Sequence, residues 1–266
     1  MEIQKASMLF NRQIKIRTLL TIALLLAFPA LTKAADIYWN VTSGDWSDTN
    51  PSPWSTGIEP TSSDNAYIRN GGTATVTQAG ETCFSLYLDG ANTSTVQMSS
   101  GSLSILCEYV GNSGKGAFIQ SAGINNVTNT GPGLYVGYQS GSYGTYLLSG
   151  QGELRAYSES IGYYGTGEFN QTGGINTISN YNYSGNYCVG YGKNATGTYN
   201  LSGLGQLSTK GATIGDNYGT GIFNQYGGTL NSSDIIYIGT WGGNGTYNLY
   251  NGQLSTSRVL SNYSCV

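Results

Sequence analysis

Histidine is missing from all 266 residues, and charge is nearly so: eleven Lys and Arg stand beside fourteen Asp and Glu. The first absence excludes a histidine triad, a histidine-held metal or haem, and a histidine proton shuttle. The second excludes a protein that tracks nucleic-acid phosphates, since each such contact needs a Lys or Arg. Glu, Lys and Ala are too sparse for helical bundles or coiled coils. What is abundant is glycine, 40 residues, and tyrosine, 22. With Thr, Val and Ile, tyrosine suits a pleated surface. Gly and Pro together make 45 residues, below the share expected of simple disorder.

Residues 1–34 read as a secretory signal peptide. Lys5, Arg12, Lys15 and Arg17 precede an apolar run over 18–28, then Pro29 and the small-residue exit Thr32-Lys33-Ala34. Read instead as a retained anchor, the run spans only about half of a bilayer core. Cleavage after Ala34 removes five of the eleven basic residues and one of the fourteen acidic ones, leaving six against thirteen. The expected product is an exported, mildly acidic chain without a membrane span, either secreted or held at the outer cell surface. Four cysteines, Cys83, Cys107, Cys188 and Cys265, allow three full pairings in an oxidising compartment. Cys83 and Cys107 are a possible disulfide; the alternative is four small buried hydrophobes. No CxxC occurs, so neither zinc nor a redox motif is indicated.

From Gly116 a phrase recurs. It reads Gly-Ala-Phe-Ile-Gln at 116, Gly-Thr-Tyr-Leu-Leu at 144 and Gly-Glu-Phe-Asn-Gln at 167. It returns as Gly-Thr-Tyr-Asn-Leu at 197, Gly-Ile-Phe-Asn-Gln at 221 and Gly-Thr-Tyr-Asn-Leu at 245. An apolar residue followed by glycine closes each unit, at Val110-Gly111, Val136-Gly137, Ile161-Gly162, Val189-Gly190, Ile214-Gly215 and Ile238-Gly239. Short period-2 segments cannot bury a face alone but can when stacked. The expected fold is all-β: a single-stranded parallel β-helix, or β-solenoid, of about eight rungs with a period near 24. Residues 35–70 are read as an N-terminal cap and 71–266 as the repeat domain. A sandwich or barrel of hairpins is the competing fold.

The units alternate. Phe118, Phe169 and Phe223 are followed two residues later by Gln120, Gln171 and Gln225, whereas Tyr146, Tyr199 and Tyr247 are followed by Leu148, Leu201 and Leu249. Residues i and i+2 share a strand face, which predicts one Phe/Tyr column beside one Gln/Leu column. Asn170, Asn200, Asn224 and Asn248 should form an amide ladder on the opposite face.

The phrases G-x-F-N-Q-x-G-G and G-T-Y-N-L-S-G, each with its apolar-Gly step, resemble the repeat arrays of exported bacterial β-solenoid proteins. These include autotransporter-passenger-like and PEP-CTERM-type surface proteins. Tyr38-Trp39, Gly44-Asp45-Trp46, Trp54, Pro60 and Asp64-Asn65-Ala66 resemble the lead-in of such proteins. The resemblance implies a surface or secreted role and no enzyme. The sequence stops at Cys265-Val266 without a closing cap pattern, which points to truncation or to end-to-end self-association.

Candidate chemistry is thin. The repeat region holds Asp89, Glu108, Glu153, Glu159, Glu168, Asp216 and Asp234, with Arg155 and Lys193. Glu153 and Arg155 share a strand face and Glu168 lies one rung on. This is the one cluster to weigh for a polysaccharide lyase or hydrolase, against a plain solvated ion pair. No metal or cofactor is expected. The turns after the apolar-Gly steps hold Tyr138, Tyr163, Tyr164, Tyr191, Tyr218 and Trp241, an expected aromatic stripe that could take a sugar ring or simply cover the solenoid edge. Two longer rungs, with extra residues over 125–133 and 177–187, should project loops from one side. The leading reading is a non-enzymatic surface, matrix or adhesin-like module, with an extracellular polysaccharide or a host or cell surface as its candidate partner. A polysaccharide-active enzyme and a self-associating fibre unit are the alternatives.

Overall fold

The computed structural model of the chain describes residues 34–130, 133–179 and 187–263. The chain divides into a unit over 1–35 and a unit over 36–266. The expected signal peptide falls, apart from Ala34, outside the described residues, and the account below concerns the second unit. Among the described residues no helix is long and apolar enough to cross a membrane.

The second unit is a β-solenoid of about eight coils, built of parallel strands. Each coil passes through three faces. The first face is a nine-stranded sheet running from Ser43–Asp45 through Thr73–Val76, Ser94–Met98, Lys115–Gln120, Tyr143–Leu148, Thr166–Gln171, Thr196–Leu201 and Thr220–Gln225 to Asn244–Leu249. In the early coils one long strand, such as Ser102–Val110, bends across the second and third faces. Its front half pairs with Ile124–Val127 and its back half with Leu134–Val136, so the sheet forks there. From that coil on, the second and third faces carry separate strands. The two insertions open at this fork, between Val127 and Leu134 and between Ile178 and Tyr187. They are shorter than the sequence implied, because Asn125–Val127 and Thr177–Ile178 belong to strands.

Alternating burial along each strand follows from the pleat. Phe118, Tyr146, Phe169, Tyr199, Phe223 and Tyr247 stack inside the first face with centroids 4.6–5.1 Å apart and planes within 4°. The antiphase with the Gln/Leu column has a hydrogen-bond cause. Tyr146 Oη donates to Gln120 Oε1 at 2.8 Å, and Tyr199 Oη to Gln171 Oε1 at 2.7 Å. A tyrosine therefore stands one coil beyond each glutamine, while a phenylalanine, which needs no acceptor, stands one coil beyond each leucine. Gln120 and Gln171 spend their own amide hydrogens on backbone carbonyls at the first corner.

The apolar-Gly step is a close approach as well as a turn. Gly190 sits at φ +77°, and a Cβ there would come 2.0 Å from the Thr220 carbonyl oxygen of the next coil. At the opening of the solenoid Trp39, Trp46 and Trp54 are buried against one another edge to face, with Trp54 Nε1 donating to the Trp46 carbonyl at 2.8 Å.

Candidate functional site: an aromatic corner

The six aromatics of the expected stripe do not form one column. Backbone hydrogen bonds put Tyr138, Tyr163 and Tyr191 at one position of successive coils, and that position continues as Asp216 and Thr240. The latter two are buried, with Thr240 Oγ1 donating to Asp216 Oδ1 at 2.7 Å. Tyr164 and Trp241 lie one residue further round the turn and Tyr218 one further still. The aromatic phrase drifts in sequence relative to the glycine, so alignment by phrase alone merged three positions.

The rings consequently fall into two kinds. Tyr138, Tyr163 and Tyr191 stack face to face at 5.5 and 4.8 Å. A second outer ladder, absent from the sequence reading, runs into them: Tyr38, Tyr67, Tyr87, Tyr109 and Tyr135, spaced 4.6–5.4 Å. Tyr135 meets Tyr138 and Tyr163 edge to face. Its signal was present, since Tyr67, Tyr87, Tyr109 and Tyr135 each directly precede the apolar residue that ends a third-face strand. Burial pushes Tyr67 and Tyr163 up to about 12, helped by Asp36 and Tyr87 at the first and by Tyr191 and Tyr164 at the second, so both hydroxyls stay neutral. In such a ladder the ring faces are already filled by other rings. What remains outward is edge and hydroxyl.

Tyr164, Tyr218 and Trp241 are different. They are 43, 67 and 54% exposed. One edge of Tyr164 lies over Gly192, and one edge of Tyr218 over Gly242, where the missing Cβ leaves room. Tyr218 and Trp241 also hold left-handed backbone, at φ +65° and +47°. Bulky residues adopt that region at a cost of about 1–3 kcal/mol.

The carboxylate cluster is not assembled. Arg155 Nε lies 2.7 Å from Glu153 Oε1 on the second face, and Arg155 is half exposed. Glu168 is on the first face, in register with Thr145 and Thr198. It accepts hydrogen bonds from Tyr143 Oη at 3.1 Å and Asn170 Nδ2 at 2.9 Å. A coil has three faces, so the next strand in sequence is not the next strand in space. Asn126, Thr128, Glu153, Arg155, Tyr157 and Thr177 line a shallow groove of about 440 Å³ on the second face. Among the described residues no group of three His, Cys, Asp or Glu side chains is placed to hold a metal ion.

Cys83 and Cys107 are not bridged. Cys83 is in register with Ile105 and Cys107 with Ser85, so equal spacing to one coil did not bring them opposite each other. Cys83 and Cys188 are fully buried, and burial raises both thiols well above their ordinary value, which leaves them inert small hydrophobes. Cys265 lies outside the described residues. Compared with protein-family models, with curated proteins and with solved structures, the chain matches none of them.

Proposed function

We propose that this β-solenoid is an exported, non-enzymatic surface or matrix module that contacts polysaccharide through Tyr164, Tyr218 and Trp241. The observation that carries the reading is backbone strain. Tyr218 and Trp241 are bulky residues in left-handed backbone at turns where the other left-handed positions hold glycine or asparagine, and both side chains are more than half exposed. Neither ring contributes to the core, and Tyr218 packs by one edge over Gly242, so core packing does not repay the strain, which belongs to what the rings meet outside. Exposed ring faces with a polar tip suit the apolar faces and hydroxyls of a sugar. The stacked Tyr163 and Tyr191 supply a rigid floor beside Tyr164. Export, and kinship with autotransporter-passenger-like or PEP-CTERM-type surface proteins, rest on the signal-like residues 1–34 and on the repeat phrases.

The test is binding of the mature chain to immobilised glycans. Replacing Tyr164, Tyr218 and Trp241 together by Ala should abolish binding, while Tyr138→Ala, within the filled stack, should leave most of it. Equal binding by the triple variant removes the corner from consideration. A second reading is self-association, with the exposed Leu249, Tyr250 and Val259 as candidate contacts. Sedimentation showing a concentration-independent monomer would dismiss it.

A further inference from the structure

Two places in the core carry polar groups where the neighbouring coils carry apolar ones. The inner column of the third face reads Leu86, Glu108, Leu134, Glu159 and Tyr187. The inner column of the second face reads Leu103, Asn125, Leu154, Asn176 and Leu207. Glu108, Asn125, Glu159 and Asn176 have no exposed surface. They occur as pairs across successive coils: Asn125 Nδ2 donates to Glu108 Oε2 at 2.8 Å, and Asn176 Nδ2 to Glu159 Oε2 at 3.1 Å. Where a coil has no glutamate the following coil has no asparagine, as with Leu134 and Leu154 or Tyr187 and Leu207.

Counting hydrogens shows what each pair lacks. The second N–H of Asn125 goes to Tyr146 Oη at 3.1 Å, and the hydroxyl hydrogen of Tyr146 goes to Gln120 Oε1. Both amide hydrogens of Gln120 go to the carbonyls of Gly123 and Glu153. Every donor is used, yet two buried acceptors, Glu108 Oε1 and Asn125 Oδ1, have no partner. The second set repeats this atom for atom. Asn176 also donates to Tyr199 Oη, Tyr199 to Gln171, and Glu159 Oε1 and Asn176 Oδ1 are left bare. An ionised glutamate would add an uncompensated charge to those bare acceptors, deep in an apolar coil.

We propose that Glu108 and Glu159 are internal proton-binding sites, each carrying a carboxylic acid hydrogen that closes a two-bond ring with the amide of Asn125 or Asn176. The proton sits on Oε1 and is donated to Asn Oδ1, while Asn Nδ2 donates to Oε2. One hydrogen thus satisfies both bare atoms. The titratable groups facing Glu108 are Cys83, Tyr146 and Glu159; those facing Glu159 are Tyr146, Tyr187, Tyr199 and Glu108. None supplies a positive charge. The ion pairs among the described residues, Arg69 with Asp89 and Arg155 with Glu153, each have a half-exposed arginine. Burial pushes both glutamates up to about 8, with the Asn hydrogen bond opposing it too weakly to restore the ordinary value. The bound protons make this a core completed by acid and loosened by alkali.

The experiment is a ¹³C titration of the mature chain labelled at glutamate Cδ, with thermal unfolding followed over the same pH range. At pH 7 the resonances of Glu108 and Glu159 should read as acid in about nine molecules of ten, and both should be missing from the Glu108→Gln, Glu159→Gln double variant. Glutamine presents an N–H where the acid presented O–H, so in a Glu81→Gln background, which removes the other glutamate raised to about 8, that variant should hold its unfolding midpoint between pH 5 and 8, a window in which the same background with Glu108 and Glu159 intact declines. In the Glu81→Gln background, glutamate resonances that all titrate below pH 6 would overturn the proposal, and that titration decides it alone should the double variant not fold.

Discussion

Glu168 accepts the side-chain N–H of Asn170 at 2.9 Å, and that bond terminates a directed chain of amides. Asn200 donates to Asn170, Asn224 to Asn200 and Asn248 to Asn224, at 2.8–2.9 Å. One coil before Asn170 the column holds Leu147, which can accept nothing. Glu168, two residues earlier on its own strand, fills the gap. Glu168→Ala should cost about 0.5–1.5 kcal/mol in denaturant unfolding. Glu168→Gln, which keeps an acceptor, should be close to neutral, and neither should change glycan binding.

Tyr146→Phe strands Gln120 Oε1 and one N–H of Asn125 inside the core. Leaving buried polar atoms unpaired costs about 1–3 kcal/mol each, so equilibrium unfolding should show a loss in that range or above it. The reverse change is as informative. Phe169→Tyr would place a hydroxyl one coil beyond Leu148, which offers no acceptor, and should destabilise by a similar amount although tyrosine is the residue in both neighbouring coils.

Gly197 and Gly141 separate close approach from turn preference. A Cβ on Gly197 would lie 2.0 Å from the Ile161 carbonyl oxygen, a backbone atom that cannot swing aside. Gly141 has φ +81° but nothing within 4 Å of its missing Cβ. Gly141→Ala should cost about 1–2 kcal/mol, the left-handed penalty alone. Gly197→Ala should exceed it clearly, seen as a larger fall in unfolding midpoint.

The pH dependence of stability should run opposite to that of most proteins. A carboxyl whose folded pKa is raised contributes its stability in full below the unfolded value and loses it as pH climbs through the folded one. For Glu108 and Glu159 the decline spans roughly pH 4.5 to 8, at up to about 1.4 kcal/mol per pH unit for each group. Glu81, raised to about 8 by burial and the nearby Glu59, adds to the same decline. A Glu81→Gln background separates the contributions in a thermal-melt series.

The repeat phrases made the coil period, the inner aromatic stack, the Gln/Leu antiphase and the Asn ladder legible before any coordinates, because each depends only on period-2 alternation within one strand. What escaped depends on corners. In Ser102–Val110 the alternation slips where the strand bends, so that Cys107 and Glu108 are buried side by side. A period-2 reading carried through that bend treats Glu108 as one more candidate surface carboxylate. Glu153 and Glu168 were grouped for the related reason that a corner intervenes between their strands. Tyr218 and Trp241 were found as aromatic turn residues, yet their separation from Tyr138, Tyr163 and Tyr191 rests on one-residue offsets that only backbone hydrogen bonds fix.

The pairing of each glutamine with the tyrosine one coil on means that this solenoid counts in twos. Excising a single coil would set Phe on a Gln coil or Tyr on a Leu coil, leaving one buried Gln oxygen or one buried Tyr hydroxyl without its partner at the junction while the pairs beyond it stay intact. Excising residues 144–196 instead joins Tyr143 to Gly197, brings Tyr199 onto Gln120, and removes Glu159 together with Asn176. Adding or removing two coils at a time leaves no such defect, so the step in which this array can change length without a buried orphan is set by a hydrogen bond rather than by the turn.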